Sequence, residues 1–164
     1  MINIYLDVFE KSRGKQEKMQ LSFIKAQEID IDRIFDLSKE QIDMYEDVKR
    51  INYEKTLEWI YNKIKTNISE YVCVLLDGDL VGYYYFHKSN EKMEIDDLYV
   101  LPEHRQKGIG TTVIEKCCLE TKEPIFLYVF EKNSRAISLY QRLGFEMKKK
   151  MENGICIMQR DYII

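Results

Sequence analysis

The chain has 164 residues, 45% of them hydrophobic and 32% charged, a balance that excludes a disordered or fibrous protein and sets the expectation of a single globular domain. A formal net charge of -3 argues against a general nucleic-acid binder, and the four cysteines and two histidines lack the CxxC or Cys/His spacing of a disulfide framework or a metal centre. No stretch reaches the roughly 18 apolar residues of a membrane span, and the first residues lack a signal peptide's pattern, so the expected location is the cytoplasm with no membrane partner.

Ile2, Ile4, Leu6 and Val8 alternate with Asn3, Tyr5 and Asp7, which predicts a half-buried strand. A polar turn containing Gly14 follows, then a strand over about Met19 to Ala26. Residues 1–18 therefore read as an N-terminal extension, an added strand and turn that offers a homodimer edge, and residues 19–164 as one domain. Apolar residues at helical spacing predict helices over Asp30–Asp47 and Tyr53–Ile68. Tyr71–Leu76 and Leu80–His87 read as strands joined at Asp77-Gly78-Asp79, with a further strand over Met93–Val100. A helix starting near Gly108 should end near Thr121, because Pro124 cannot continue it. Ile125–Phe130 reads as a buried strand, Asn133 as the cap of a helix running through Leu143, and Gly144 as its stop. A hairpin of Phe145–Met151 and Ile155–Arg160 closes the chain. Strands alternating with helices between antiparallel hairpins predict a mixed α/β sheet.

Two segments carry most of the functional information. In the first, a strand ending at Val100 turns at Pro102 into Arg105-Gln106-Lys107-Gly108-Ile109-Gly110-Thr111 and a helix. The two glycines let backbone approach a ligand where free amides and the helix dipole favour an anion. The second is Asn133-Ser134-Arg135-Ala136-Ile137-Ser138-Leu139-Tyr140-Gln141-Arg142-Leu143-Gly144-Phe145.

Together they resemble the GCN5-related N-acetyltransferases (GNAT), whose motifs read Arg/Gln-x-x-Gly-x-Gly/Ala and Asn-x-x-Ala-x-x-Leu-Tyr-x-x-Leu-Gly-Phe. The match is strong from Glu94 to Phe145 and looser from about Leu21 onward. The resemblance implies an acyl-CoA N-acyltransferase fold: a mostly antiparallel twisted sheet flanked by about four helices, here with an extra N-terminal strand. It implies acetyl-CoA as cosubstrate and no metal. Backbone groups of Leu98, Tyr99 and Val100 would pair with the pantetheine arm. Amides of Arg105, Gln106, Lys107, Gly108, Ile109, Gly110 and Thr111 would wrap the pyrophosphate, with Arg105 and Lys107 adding charge, and Asn133 would hydrogen-bond the arm.

Acetyl transfer to an amine needs a base and a proton for the departing thiolate. Tyr140 lies seven residues after Asn133, two turns along one helical face, and its phenol is the candidate acid. The base is open. In a regular strand Glu94, Asp96, Leu98 and Val100 face one way and Ile95, Asp97 and Tyr99 the other. Glu94 or Asp96 is the base that the resemblance implies, and a bulge would bring Asp97 into play. Three acids beside an acyl donor favour a cationic acceptor. Tyr83-Tyr84-Tyr85-Phe86 reads as core packing before pocket lining, and Lys148-Lys149-Lys150 as a solvated face. Cys117 and Cys118 read as helix packing, since neither has a paired histidine.

The favoured function is an N-acetyltransferase passing acetyl directly to a primary amine of a small molecule, peptide or protein. The alternative is an acyl-CoA-binding sensor or partner module without turnover, which would need neither Tyr140 nor the carboxylates.

Overall fold

The computed structural model describes residues 19–162. The strand expected over Ile2–Phe9, its turn and the dimer edge lie outside the described residues. In chain order come β1 (Leu21–Lys25), α1 (Ile31–Tyr45), α2 (Tyr53–Asn67), β2 (Val72–Leu76), β3 (Asp79–Ser89) and β4 (Lys92–Val100). Next are α3 (Ile109–Leu119), β5 (Ile125–Phe130), α4 (Ser134–Arg142), β6 (Glu146–Lys150) and β7 (Ile155–Arg160). The helix expected to begin near Gly108 starts one residue later, because Gly108 is its N-cap at φ 81°, outside helical space. It also stops short of Thr121, whose Oγ1 accepts the Glu123 N–H and turns the chain toward Pro124.

Seven strands form one sheet in the order β1-β2-β3-β4-β5-β7-β6, antiparallel throughout except for β4 beside β5. Its faces bury different residues. On one face Val81, Tyr84, Ile95, Leu127 and Met158 pack against Ile109, Val113, Ile114 and Cys117 of α3. On the other, Cys73, Tyr83 and Tyr85 pack against Ile34, Leu37 and Ile42 of α1 and Ile60 and Ile64 of α2. The apolar stripes of α1 and α2 thus cover one face while α3 covers the other. Tyr83, Tyr84 and Tyr85 are buried core residues on alternating faces.

Two irregularities of the sheet set the course of β4. The β3–β4 register passes from Tyr85↔Asp97 to Phe86↔Ile95, so Asp96 is an extra residue on β4. The parallel β4–β5 ladder holds only Met93↔Ile125 and Glu94↔Phe126, after which the strands part. From Ile95 to Val100, β4 therefore keeps β3 on one side and no paired strand on the other. Gly82 opposite Val100 holds β3 and β4 close, since an added Cβ would sit 2.3 Å from the Tyr99 carbonyl oxygen.

Candidate active site

The parting of β4 from β5 opens a cleft of about 870 Å³. Leu98, Tyr99 and Val100 form one wall, the turn before α3 lies at one end, and Asn133 and Tyr140 of the α4 segment stand opposite. Met44 and Tyr45, from the last turn of α1, close the rim, with Tyr45 stacked on Phe130 at 6.1 Å. The splay leaves polar backbone facing this space, which a strand-like ligand can satisfy.

The turn before α3 is built for an anion. Gln106 and Gly108 both have positive φ, 64° and 81°, which curls the chain so that successive amides converge. The first helical bond of α3 runs from Thr112 N–H to the Gly108 carbonyl. From Gln106 to Thr111 no amide donates to a backbone acceptor among the described residues. These free donors at a helix N-terminus make an anion cradle, and Gly110 opens it, since an added Cβ meets only Leu139 Cδ2 at 3.7 Å. Arg105 is placed differently from its expected role. Its guanidinium pairs twice with Glu40 of α1, at 2.9 and 3.1 Å, and its Nε donates to the Val100 carbonyl. The side chain clips the turn to α1, and its hydrogen bonds hold the Glu40 carboxyl below its ordinary pKa. Lys107 is exposed and off the cleft wall.

The bulge sorts the acids. Regular alternation would have put Glu94 and Asp96 on the face opposite Asp97 and Tyr99. Instead the extra residue shifts the phase, so Ile95, Leu98 and Val100 pack into the α3-side core while Glu94, Asp96, Asp97 and Tyr99 share the α2 side. Asp97 is saturated and 10% exposed: Lys63 Nζ and the Tyr71 hydroxyl donate to Oδ2, and the Tyr99 hydroxyl donates to Oδ1 at 2.7 Å. Burial, reinforced by the Asp97 charge, pushes both phenols up, so they stay protonated donors. Lys63 of α2 also reaches Asp96 Oδ1 at 2.9 Å. Burial opposes its charge, yet Asp97 and Asp96 hold its pKa above the ordinary lysine value. Asp96 lines the cleft and keeps Oδ2 without a hydrogen-bond donor among the described residues. Glu94 is off the cleft wall, and burial followed by the Asp96 charge raises its pKa. Asp96 and Asp97 both line the cleft, and of the two only Asp96 keeps an oxygen without a donor among the described residues.

Across the cleft, Asn133 accepts the Ala136 amide at 3.1 Å through Oδ1, capping α4 and leaving its Nδ2 group as a donor. Tyr140 packs on Phe145 with ring centroids 5.8 Å apart, and burial pushes its phenol up to about 12. The hydroxyl is therefore protonated near neutral pH and able to donate.

Other expectations fall outside the cleft. Cys73, Cys117 and Cys156 are buried free thiols, and burial raises the Cys117 pKa far from a nucleophile's range. Lys148 and Lys150 lie exposed on edge strand β6, paired with Glu146 and Glu131. Lys63, His87, Glu40 and Tyr71 carry no signal in the sequence, because each is isolated in the chain and meets its partners only across elements. His87 Nε2, Glu94 and Asp96 come within 4.8 Å of one another, the one such donor group among the described residues.

A sheet splayed beside a strand-to-helix anion cradle, with a tyrosine and a carboxylate in the same cleft, defines an acyl-CoA-binding type of α/β domain. Residues 32–145 match the model of the acetyltransferase (GNAT) family, and the chain belongs to that family. It is 36% identical over 81 residues to a streptothricin acetyltransferase of Streptomyces lavendulae, covering 46% of this chain and 43% of that protein. To thialysine N-epsilon-acetyltransferase of Bos taurus it is 35% identical over 86 residues, 47% of this chain and 51% of the other. The chain thus spans about half the length of these relatives. A PaiA N-acetyltransferase from Thermoplasma acidophilum, solved with coenzyme A, superposes with a TM-score of 0.65 at 22% identity, covering 88% of this chain and 100% of that one. That likeness shows the fold. No helix among the described residues is long and apolar enough to cross a membrane.

Proposed function

We propose that the protein is a cytoplasmic N-acetyltransferase that passes acetyl directly from acetyl-CoA to a primary amine of a small molecule. One observation carries the reading: the edge of β4 from Ile95 to Val100, which no strand pairs and on which Arg105 takes the Val100 carbonyl, and the unpaired amides of Gln106 to Thr111 open into one cleft with Tyr140 and Asp96. The β4 edge pairs with the amides of the pantetheine arm, and the 106–111 amides hold the pyrophosphate. Asn133 Nδ2 steadies the arm. An N–H of the β4 edge polarises the thioester carbonyl and stabilises its oxyanion. Asp96 Oδ2 takes a proton from the acceptor ammonium, and the Tyr140 phenol protonates the leaving thiolate. Direct transfer of this kind uses no covalent enzyme intermediate.

The thialysine relative is named for acetylation at an Nε nitrogen, which supports the acceptor class. The sensor alternative is less favoured, because binding alone requires neither a phenol nor an unsatisfied carboxylate oxygen in the cleft. Thiol release from acetyl-CoA over a panel of streptothricin, thialysine, polyamines and simple diamines is the test. Turnover on at least one amine supports the reading, and CoA binding without turnover on any amine would move it to the sensor alternative.

A further inference from the structure

His87 takes no part in the cleft wall, yet it stands against Asp96, which does, and against Glu94, which does not. Its ring on β3 stacks on Tyr85 at 4.3 Å, which in turn stacks on Tyr71 at 4.7 Å. Nδ1 lies 3.1 Å from the Lys88 carbonyl. A carbonyl only accepts, so Nδ1 carries the hydrogen and Nε2 of the neutral ring presents its lone pair. Nε2 is buried and has no hydrogen-bond partner among the described residues. It faces Asp96 Oδ2 at 3.5 Å and Glu94 Oε2 at 3.8 Å. A buried acceptor aimed at two carboxylates has nothing to accept until one of them brings it a proton.

Resting on the acetyltransferase reading, we propose that His87 relays the acceptor's proton from Asp96 to solvent. Asp96 Oδ2 removes one proton from the ammonium, and the freed amine attacks the thioester carbonyl. The C–N bond forms and the C–S bond breaks. Of the three ammonium protons, one leaves through Asp96, one replaces the proton that Tyr140 gives to the thiolate, and one stays on the amide. Asp96 then passes its proton to Nε2, and the imidazolium is held by the Glu94 and Asp96 carboxylates. The imidazolium gives its Nδ1 proton to water on the exposed side of the ring, which is 21% exposed, and proton exchange with that water returns the ring to its starting tautomer. The 3.5 Å separation is longer than a hydrogen bond, as contacts between reacting groups often are before substrate closes the site.

The surroundings favour this direction of transfer. Glu94 and Asp96 face the ring from β4 and Tyr85 stacks on it from β3. Lys63 from α2 holds Asp96 by its other oxygen, leaving Oδ2 turned to His87. Lys63 is already a cation and cannot receive a proton. Glu70, on the short 3-10 helix Ile68–Glu70, adds negative charge beside Tyr85. Glu94 and Asp96 thus set two carboxylate oxygens against the ring nitrogen that receives the proton.

The test is the pH dependence of kcat/KM, read as thiol release with an acceptor amine, for wild type, His87→Phe and His87→Gln. Phenylalanine keeps the stack on Tyr85, and glutamine serves if that variant does not fold. The variants should lose about 10–100-fold near pH 6.5, where a delivered proton must be cleared. The loss should shrink to within about threefold near pH 9.5, where more of the amine is already neutral. KM for acetyl-CoA should stay unchanged, and free imidazole should restore part of the rate to His87→Gly. A uniform loss at all pH values, or none, overturns the relay while leaving the acetyltransferase reading in place. Loss of wild-type rate on chelation, restored by a divalent metal, also overturns it and assigns His87, Glu94 and Asp96 to a cation. A wild type that releases no thiol with any amine overturns both readings.

Discussion

Replacing Gly110 with alanine separates the ligand's needs from the fold's. Gly110 is the second residue of α3, and its added Cβ would meet only Leu139 Cδ2 at 3.7 Å, an ordinary contact. Alanine also favours helix over glycine by up to about 1 kcal/mol, so the variant should melt about 2–4 °C higher. The new methyl stands in the cleft where, on the proposed reading, the pyrophosphate closes on the 106–111 amides. Losing or lengthening one hydrogen bond to a charged phosphate costs about 1.5–3 kcal/mol, or about 10–150-fold in Kd. Calorimetry with CoA on wild type and Gly110→Ala, alongside thermal melts, reads both quantities. Pantetheine alone, which lacks the phosphates, should bind the two proteins equally. A variant with a raised melting temperature and wild-type CoA affinity would refute the anion cradle, since no damage to the fold could be masking a loss.

The remaining predictions address the chemistry and its supports. Tyr140→Phe removes one hydroxyl and keeps the ring on Phe145, so CoA affinity should hold while kcat falls by about 10²–10⁴-fold; equal turnover rules out the acid role. Asp96→Asn should lower kcat/KM with little change in melting. Asp97→Asn should chiefly destabilise, by about 2–4 kcal/mol, because it unbalances the bonds from Lys63, Tyr71 and Tyr99; the reverse pattern in urea titrations and rates would exchange the two assignments. Glu94 has a folded pKa above its ordinary 4.5, so its contribution to stability is full below 4.5 and is lost as pH rises through the folded value. Glu94→Gln should therefore gain on wild type in melts near pH 8 relative to melts near pH 4, and a gap that narrows with rising pH contradicts the burial argument.

Much of the molecule was legible in the chain because its signals are local. Asn133 caps α4 as expected, Ile125–Phe130 and Ile155–Arg160 form strands with the expected bounds, and Asp77-Gly78 turns with the positive φ that residues of this kind tolerate. The strand-turn-helix around Gly108 was readable for the same reason: glycine spacing dictates backbone geometry without help from distant residues. Which acid keeps a free oxygen at the cleft was not readable. A bulge is set by pairing between β3 and β4, and one extra residue at Asp96 reverses the phase of the residues beyond it, which no periodicity in β4 alone reveals. Nor could the chain show that Arg105 is taken by Glu40, or that Lys63, Tyr71 and His87 gather round Asp96 and Asp97. Those meetings join residues tens of positions apart, and only the packing of α1 and α2 onto the sheet decides them. Local order along the chain is enough to set the backbone geometry of the cleft, whereas the folded packing selects which side chains are free to do chemistry, because a side chain's availability depends on every neighbour that folding brings to it.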